Sequence, residues 1–399
     1  MLYWINFYGN YNHTYDYKNI KQYTQNERMI KMAMKTLLIG IGAAGNKAVM
    51  EAIESGIIET KDAVIFNSTS KDFPAGFTGT KIVLSSRDTG CGKERSIAKE
   101  YAMNCIKSGT FNNINVSEYT TIIICTSVEG GTGSGSSPII AKYFNQVCRK
   151  NVHLIAFSGF EEDVRGLANT VEFFSEIDNN LIVQCIKNSA FMRLSGGNKF
   201  KAEELANREM CNRIAVLTGQ DFINSKQNID DTDILKVSNT SGYMTVEKAY
   251  IDKPLVDQDD FNKLIKKMVY ASKSLASKSS AIRIGVILNI DPASEDAIDY
   301  SFKDIKAAYG NPYECFMQTQ WDGKKEYVAF IASGMQMPVD EIKEVYEKYK
   351  EETSRVNKDT DTFFKELEGM TLNSEDKNFD MIKPSEKGKS IEDFMNQFK

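Results

Sequence analysis

The sequence predicts an α/β fold: a parallel-sheet, Rossmann-like domain, a central helix, an α+β C-terminal domain and a disordered tail. Three observations predict it. Short apolar runs alternate with helical stretches between residues 35 and 160. Glycine-rich segments lie where a strand hands over to a helix, and this happens twice. Beyond about Asn357 apolar residues thin out, and the Lys, Glu, Asp, Ser and Asn that replace them cannot offset chain entropy.

Residues 1–34 are dominated by Asn, Tyr and Lys, without helical or alternating period and without the apolar core of a signal peptide. They read as an extension outside any domain, with translation expected to start at Met32 or Met34, because "MKTLLIGIG" reads as a normal first strand. Residues 35–201 then form the parallel-sheet domain. Its strands are "KTLLIGIG", "DAVIFNST", "TKIVLSS", "YTTIIICTS" and "NVHLIAFSGF", and its helices include "NKAVMEAIES", "KERSIAKEYAMNCIKS" and "PIIAKYFNQVCRK". Unbroken apolar strands separated by helices imply a parallel sheet covered on both faces. "NTVEFFSEIDNNLIVQCIKN" reads as helical and "SAFMRL" as a short strand. Residues 202–237 comprise a long helix to about Leu217 and a polar loop. Residues 238–337 read as a separate α+β domain, with strands "SSAIRIGVILNID", "YECFMQTQWDG" and "KEYVAFIASG" and the helix "QDDFNKLIKKMVYASKSLAS". Residues 338–356 form a charged amphipathic helix opened by Pro338 and Asp340. Residues 357–399 are the tail, in which Ile391, Phe394, Met395 and Phe398 recur at the spacing of a short partner-binding helix.

Composition narrows the function. A chain of 399 residues, 42% hydrophobic, is long enough for more than one core. A net charge of -5 gives no general attraction to nucleic acid or anionic lipid. Seven cysteines form no CxxC and sit mostly in apolar runs, the pattern of core residues in a reducing cytoplasm. With only His13 and His153, histidine triads and histidine-rich metal sites are nearly excluded, and His153 reads as a strand residue. No apolar run reaches the ~20 residues of a membrane span.

In α/β sheets of this kind ligands lie outside the carboxyl ends of the strands. "IGIGAAGNKAV" puts Gly40, Gly42 and Gly45 there, in the spacing G-x-G-x-x-G. A nicotinamide site would also want an acid at the end of the second strand, where this chain has Asn67 and Ser68, with Asp72 only later. "VEGGTGSGSSPII" supplies a second glycine-rich segment after another strand. Two such segments on one sheet imply a polyphosphate, held by backbone N–H groups with help from Thr132 and Ser134. The Gly-x4-Gly-Lys-Ser/Thr pattern of a P-loop is absent. "NIDDTDILKV" is a polar loop carrying Asp230, Asp231 and Asp233; it lacks the glycine and distal Glu of an EF-hand, and a solvated turn is the simpler alternative.

"GGTGSG" is the signature of the tubulin/FtsZ superfamily of filament-forming GTPases, which the chain resembles over roughly residues 35–355. The resemblance implies GTP/GDP and Mg2+ as ligands. It implies that Gly42, Ala43, Ala44, Gly45 and Asn46 cradle the diphosphate and that Gly130, Gly131, Thr132, Gly133, Ser134 and Gly135 form the second phosphate loop. The loop "DTGCGKERSIA", with Gly90, Cys91, Gly92 and Lys93, would lie near the terminal phosphate, where Lys93 and Arg95 would balance charge. Its form "GCGKER" looks like the plasmid- and phage-borne TubZ branch. The loop with Glu161, Glu162 and Arg165 resembles the ribose-contacting loop. Asn207 matches the asparagine that reads the guanine edge, whereas the stacking aromatic one turn earlier is replaced by Glu203, leaving Phe200 as a substitute. Asp230 and Asp233 match the catalytic acids, which in the superfamily enter the pocket of the next subunit.

The resemblance thus implies a GTPase that polymerises head-to-tail in the bacterial host cytoplasm and moves or segregates plasmid or phage DNA. A DNA-binding adaptor protein is expected at the C-terminal tail, because the tail from Glu351 carries 8 basic and 12 acidic residues and offers DNA no charge. Alternatives are an FtsZ-like division GTPase, a phage-genome-positioning tubulin, a non-enzymatic scaffold and, from a different class, an NAD(P)-dependent oxidoreductase.

Overall fold

The computed structural model describes residues 35–219, 231–253, 255, 257–277, 279–292 and 303–368. Strands β1 (Thr36–Ile41), β2 (Ala63–Asn67), β3 (Thr80–Val83), β4 (Thr121–Ser127) and β5 (Asn151–Ser158) stand where the apolar runs predict them. All pair in parallel, in the order β3-β2-β1-β4-β5. Alternation along β1 sends Leu37, Ile39 and Ile41 into one apolar cluster and Leu38 into another on the opposite face. Helices α1 (Gly42–Glu54) and α5 (Lys199–Leu217) cover the Leu38 face through Ala48, Val49, Ala206 and Met210. Helices α2 (Arg95–Lys107), α3 (Gly131–Lys142) and α4 (Val164–Ser175) cover the other. Both faces are dry, which is why the strands carry no polar alternation. His153 lies in β5, 1% exposed, and burial pushes its pKa down to about 4, so it is a neutral core residue.

The structure differs from the sequence reading in several places. "IVQCIK" is not helical: it is β6 (Ile182–Lys187), buried and parallel to β5. An apolar run of this length is compatible with either state, and its β-branched residues, set off by the turn around Asp178 and Asn180, decide for strand. "SAFMRL" contains one 3-10 turn, Asn188–Phe191, and no strand. Within the polar loop, residues from Asp231 onward form α6 (Asp231–Ser238). Strand β7 (Gly242–Tyr250), absent from the reading, joins β6 in parallel through Ile182 and Gly242.

Strand β7 makes the sheet continuous. Beyond it, in antiparallel and then parallel pairing, come β10 (Tyr327–Met335), β8 (Arg283–Asn289) and β9 (Glu314–Gln320), giving ten strands ordered β3-β2-β1-β4-β5-β6-β7-β10-β8-β9. Helix α7 (Gln258–Tyr270) starts as expected but ends at Tyr270, short of the expected end at Ser277, because Ser274 bridges to Ile186 of β6; α8 (Lys303–Tyr309) packs on it. Helix α9 runs Val339–Glu368, past the expected end at residue 356. It seats Ile342 and Val345 in the core and lies along α4. The expectations for residues 1–34 and for the terminal partner motif lie outside the described residues.

The first turn of α1 presses on β4 at Gly45, where a Cβ would overlap the Cys125 carbonyl oxygen. Because the neighbour is strand backbone, it cannot move aside. Gly45→Ala is expected to lower stability by about 3 kcal/mol, an overpacking cost read by urea unfolding; an unchanged midpoint contradicts the close approach.

Candidate functional site

The carboxyl ends of β1 and β4 each lead directly into a helix. Gly42 (φ 75°) starts α1, and Gly130 caps α3 with extended backbone. The glycine segments read as loops are therefore helical first turns: Gly42, Ala43, Ala44, Gly45 and Asn46 belong to α1, and Gly131, Thr132, Gly133, Ser134 and Gly135 to α3. A helix start leaves up to four backbone N–H groups without intrahelical partners. Here two starts converge, for a Cβ on Gly42 would sit 3.1 Å from the Gly133 nitrogen.

Much of the glycine content serves this packing. A Cβ at Gly131 would lie 2.6 Å from the Lys93 backbone, and one at Gly133 would lie 2.5 Å from Thr126 Oγ1. At Gly130 nothing lies within 4 Å, so the chain is open toward the space ahead of the helix. Pro138, inside α3, supplies no N–H to the Ser134 carbonyl. That carbonyl accepts instead from Arg95 Nη2 at 2.9 Å.

This bond corrects the expectation for Arg95. Its guanidinium is 2% exposed and pairs with Glu172 of α4 and with Glu176, which caps that helix, at 2.9 and 2.7 Å. It anchors α2 and α4 beneath α3 and does not face a phosphate position. Of Gly90, Cys91, Gly92 and Lys93, the second and fourth meet α3: Cys91 Sγ lies 3.0 Å from Thr132 Oγ1, which also meets Ser68 Oγ at 2.8 Å, and the Lys93 backbone faces Gly131. One hydroxyl thereby ties the ends of β2 and β4 to the loop after β3. Lys93 (φ 66°) pairs with Asp163 at 2.8 Å, and its carbonyl accepts from Asn169, which also holds the Glu129 carbonyl at 2.9 Å.

Beside the two helix starts lies a cavity of about 260 Å³, lined by Ala43, Ala44 and Lys47 of α1, Ser127 and Glu129 after β4, Phe157, Gly159 and Phe160 at the end of β5, Asn188 after β6, and Glu203, Ala206 and Asn207 of α5. Asn207, the residue expected to read a base edge, lines this cavity. Asn188 was not foreseen: its Oδ1 is buried without a hydrogen-bond partner, an arrangement that costs roughly 1–3 kcal/mol unless a ligand supplies a donor. Phe200 is 80% exposed and does not line the cavity, whereas Phe160 does.

The expected ribose loop lies alongside and is differently engaged. Glu161 (φ 56°) pairs with Lys348 of α9 at 3.2 Å, Glu162 with Lys199, and Arg165 with Glu94. Glu129 and Glu203 are the acids that line the cavity, and Glu129 is the one beside the α3 start. The Oε1 of Glu129 accepts from the Glu161 N–H at 2.8 Å. Burial raises its pKa, with the N–H of Glu161 opposing, the carboxylates of Asp163 and Glu161 adding to the rise and Lys93 countering it.

Asp233 is remote from this cavity. It sits on α6, which packs against β8 and β10, and it pairs with Lys236 at 3.0 Å. From Asn207 to Leu217 alone, α5 advances about 15 Å. Asp230 lies outside the described residues. Among the described residues no group of three or more His, Cys, Asp or Glu side chains is placed to hold a metal ion, and no helix is long and apolar enough to cross a membrane.

Comparison with known proteins shows that the fold is similar to that of tubulin-like proteins. The chain is 27% identical over 237 residues to the tubulin-like protein CetZ1 of Haloferax volcanii, an alignment covering 53% of this chain and 58% of that protein. The GDP-bound CetZ1 monomer superposes with a TM-score of 0.63 at 21% identity, over 79% of this chain and 99% of that one. The protofilament of TubZ from Bacillus thuringiensis serovar israelensis gives 0.63 at 15% identity, over 86% and 98%. At these identities the structures establish the fold. No family model matches the chain.

Proposed function

We propose that the chain is a GTPase subunit that polymerises head-to-tail. The observation that carries this reading is the convergence of two helix starts, after β1 and β4, beside a cavity holding Asn188 and Asn207. Free N–H groups at the two starts hold the phosphates, where the helix dipoles favour negative charge. The carboxamides of Asn188 and Asn207 offer the paired donors and acceptors that a guanine edge requires. The cavity takes the nucleoside, since its volume is near the lower end for small-molecule sites. Mg2+ bound with the phosphates would supply charge neutralisation, and the Thr132 hydroxyl at the α3 start would offer it an oxygen of the kind it takes.

Two relatives support the ligand and the assembly: one was solved with GDP and the other as a GTPγS-form protofilament. Asp233, beyond the C-terminal end of the central helix, and Asp230, which precedes it in sequence, then orient water at the nucleotide of the adjoining subunit. A contact between unlike faces does not close on itself and so yields filaments. A role in moving plasmid or phage DNA is the narrower proposal. It rests on the "GCGKER" loop, and the adaptor would bind the tail.

Right-angle light scattering with Mg2+ and GTP, ATP or NADH tests this reading. A rise with GTP alone is expected; NADH binding without a rise would instead support an oxidoreductase. Asn207→Ala is expected to weaken GTP binding about tenfold or more, since a buried polar edge loses its partner. Unchanged affinity by calorimetry removes Asn207 from the base site.

A further inference from the structure

We propose that Glu129, and not Glu161 or Glu162, is the acid that holds the sugar hydroxyls of the bound nucleotide. The inference rests on the nucleotide reading above and deepens it.

Position is the first argument. Glu129 leaves β4 immediately before Gly130 and Gly131, which open α3. Across the same cavity stand Asn188 and Asn207. A nucleotide with its phosphates at the α3 start and its base against the two asparagines must pass its sugar between them. Glu129 occupies that interval.

Availability is the second. Glu161 and Glu162 are committed to Lys348 and Lys199 and do not line the cavity. Glu203, the other cavity acid, faces Lys47 at 3.6 Å. Glu129 has no salt bridge among the described residues, and its one carboxylate hydrogen bond engages Oε1. Room is reserved for its other oxygen, because a Cβ on Gly159 would overlap it. An ionised carboxylate accepts through both oxygens, so a vicinal diol is a matched partner: two adjacent O–H donors for one fork of acceptors.

The ionisation of Glu129 is consistent with this role. Burial and the carboxylates of Asp163 and Glu161 press it toward its neutral form, while the Glu161 N–H and Lys93 press the other way. A pair of hydroxyl donors stabilises the charged form further. Nucleotide binding should therefore release protons near the titration of Glu129.

The test is calorimetric titration of the full chain and of Glu129→Gln and Glu161→Gln with GDP and with 2′,3′-dideoxy-GDP. Glutamine at 129 keeps the shape of the side chain and an acceptor for the Glu161 N–H, so the fold should survive, as circular dichroism will check. The unmodified protein should prefer GDP about tenfold or more, the usual effect of charge-assisted hydrogen bonds. Glu129→Gln should lose most of that preference, binding the dideoxy compound as before. Glu161→Gln should retain it. A preference that survives in Glu129→Gln, or vanishes in Glu161→Gln, overturns the assignment of Glu129 and leaves the nucleotide reading intact. Failure of the unmodified protein to bind GDP overturns that reading, and this proposal with it.

Discussion

Asp233→Ala is expected to slow GTP turnover about a hundredfold or more, the usual effect of losing a group that positions or polarises the nucleophile, while GTP still drives assembly. The reason is the separation of sites. The groups proposed to bind nucleotide lie at the β1, β4 and β6 exits and on α5, whereas Asp233 stands on α6 against β8 and β10. Binding should survive its removal. Two controls sharpen the measurement. Lys236→Ala removes the 3.0 Å partner but leaves the acid, and turnover should change little. An equimolar mixture of Asp233→Ala with Asn207→Ala chains should recover activity, because about a quarter of random head-to-tail contacts join an intact pocket to an intact acid. Phosphate release by the mixture no faster than the sum of the separate proteins would rule out completion of the site between subunits.

How far the site was legible in the sequence follows from which residues act through local pattern. Gly42 and Gly130 could be placed because a strand, a glycine and a helix in succession dictate where a backbone N–H will point, whereas Asn207, well inside α5, was singled out by the family resemblance alone. Asn188 could not be placed, because its significance depends on "IVQCIK" being β6, and a short apolar run does not declare its period. A signal was present in the turn at Asp178 and Asn180 that precedes it. Strand β7 was hidden by Thr245, Glu247 and Lys248, polar residues in an element that the sheet nonetheless buries in part. Missing β7 meant missing that the C-terminal strands continue the same sheet. Glu129 was within the glycine segment from the outset, but only tertiary contacts distinguish an acid facing a cavity from Glu161, which α9 holds by Lys348. Arg95 shows the converse. Its place in a phosphate-side loop suggested charge for a ligand, whereas the missing N–H of Pro138 and the acids Glu172 and Glu176 claim it.

The largest effect on stability is expected at Arg213. This residue of α5 is 1% exposed, its Nε donates to Glu209 at 3.1 Å, and Nη2 lies 3.6 Å from Glu247 of β7, itself 6% exposed. Above the titration of Glu247, Arg213→Met leaves a buried carboxylate without its countercharge, a loss of about 3–5 kcal/mol; at lower pH, where Glu247 is protonated, the loss is smaller. Glu247 keeps a hydroxyl bond from Ser272 at 2.5 Å and a weaker one from Ser274 at 3.4 Å, which do not replace a full charge. The pair also predicts a pH dependence. Burial raises Glu247 from 4.5 to about 7, with Glu209 adding to the rise and Arg213, Ser272 and Lys273 opposing it; Arg213 stays charged. The folded state therefore binds the proton more tightly than the unfolded state. This contribution is fully present below about pH 4.5 and is lost as pH rises through about 7. At ~1.4 kcal/mol per pH unit, the loss amounts to about 3 kcal/mol. Urea unfolding across pH 5 to 8 should show that slope, and Glu247→Gln should flatten it. A slope unchanged in Glu247→Gln would assign the titration elsewhere. The pair joins α5, which lines the cavity, to the strand through which the C-terminal half enters the sheet. Weakening it should loosen the connection between Asn207, midway along α5, and Asp233, beyond its C-terminal end. Arg213→Met should accordingly reduce turnover in assembled protein more than it reduces nucleotide affinity, when both are measured at a temperature where the variant remains folded.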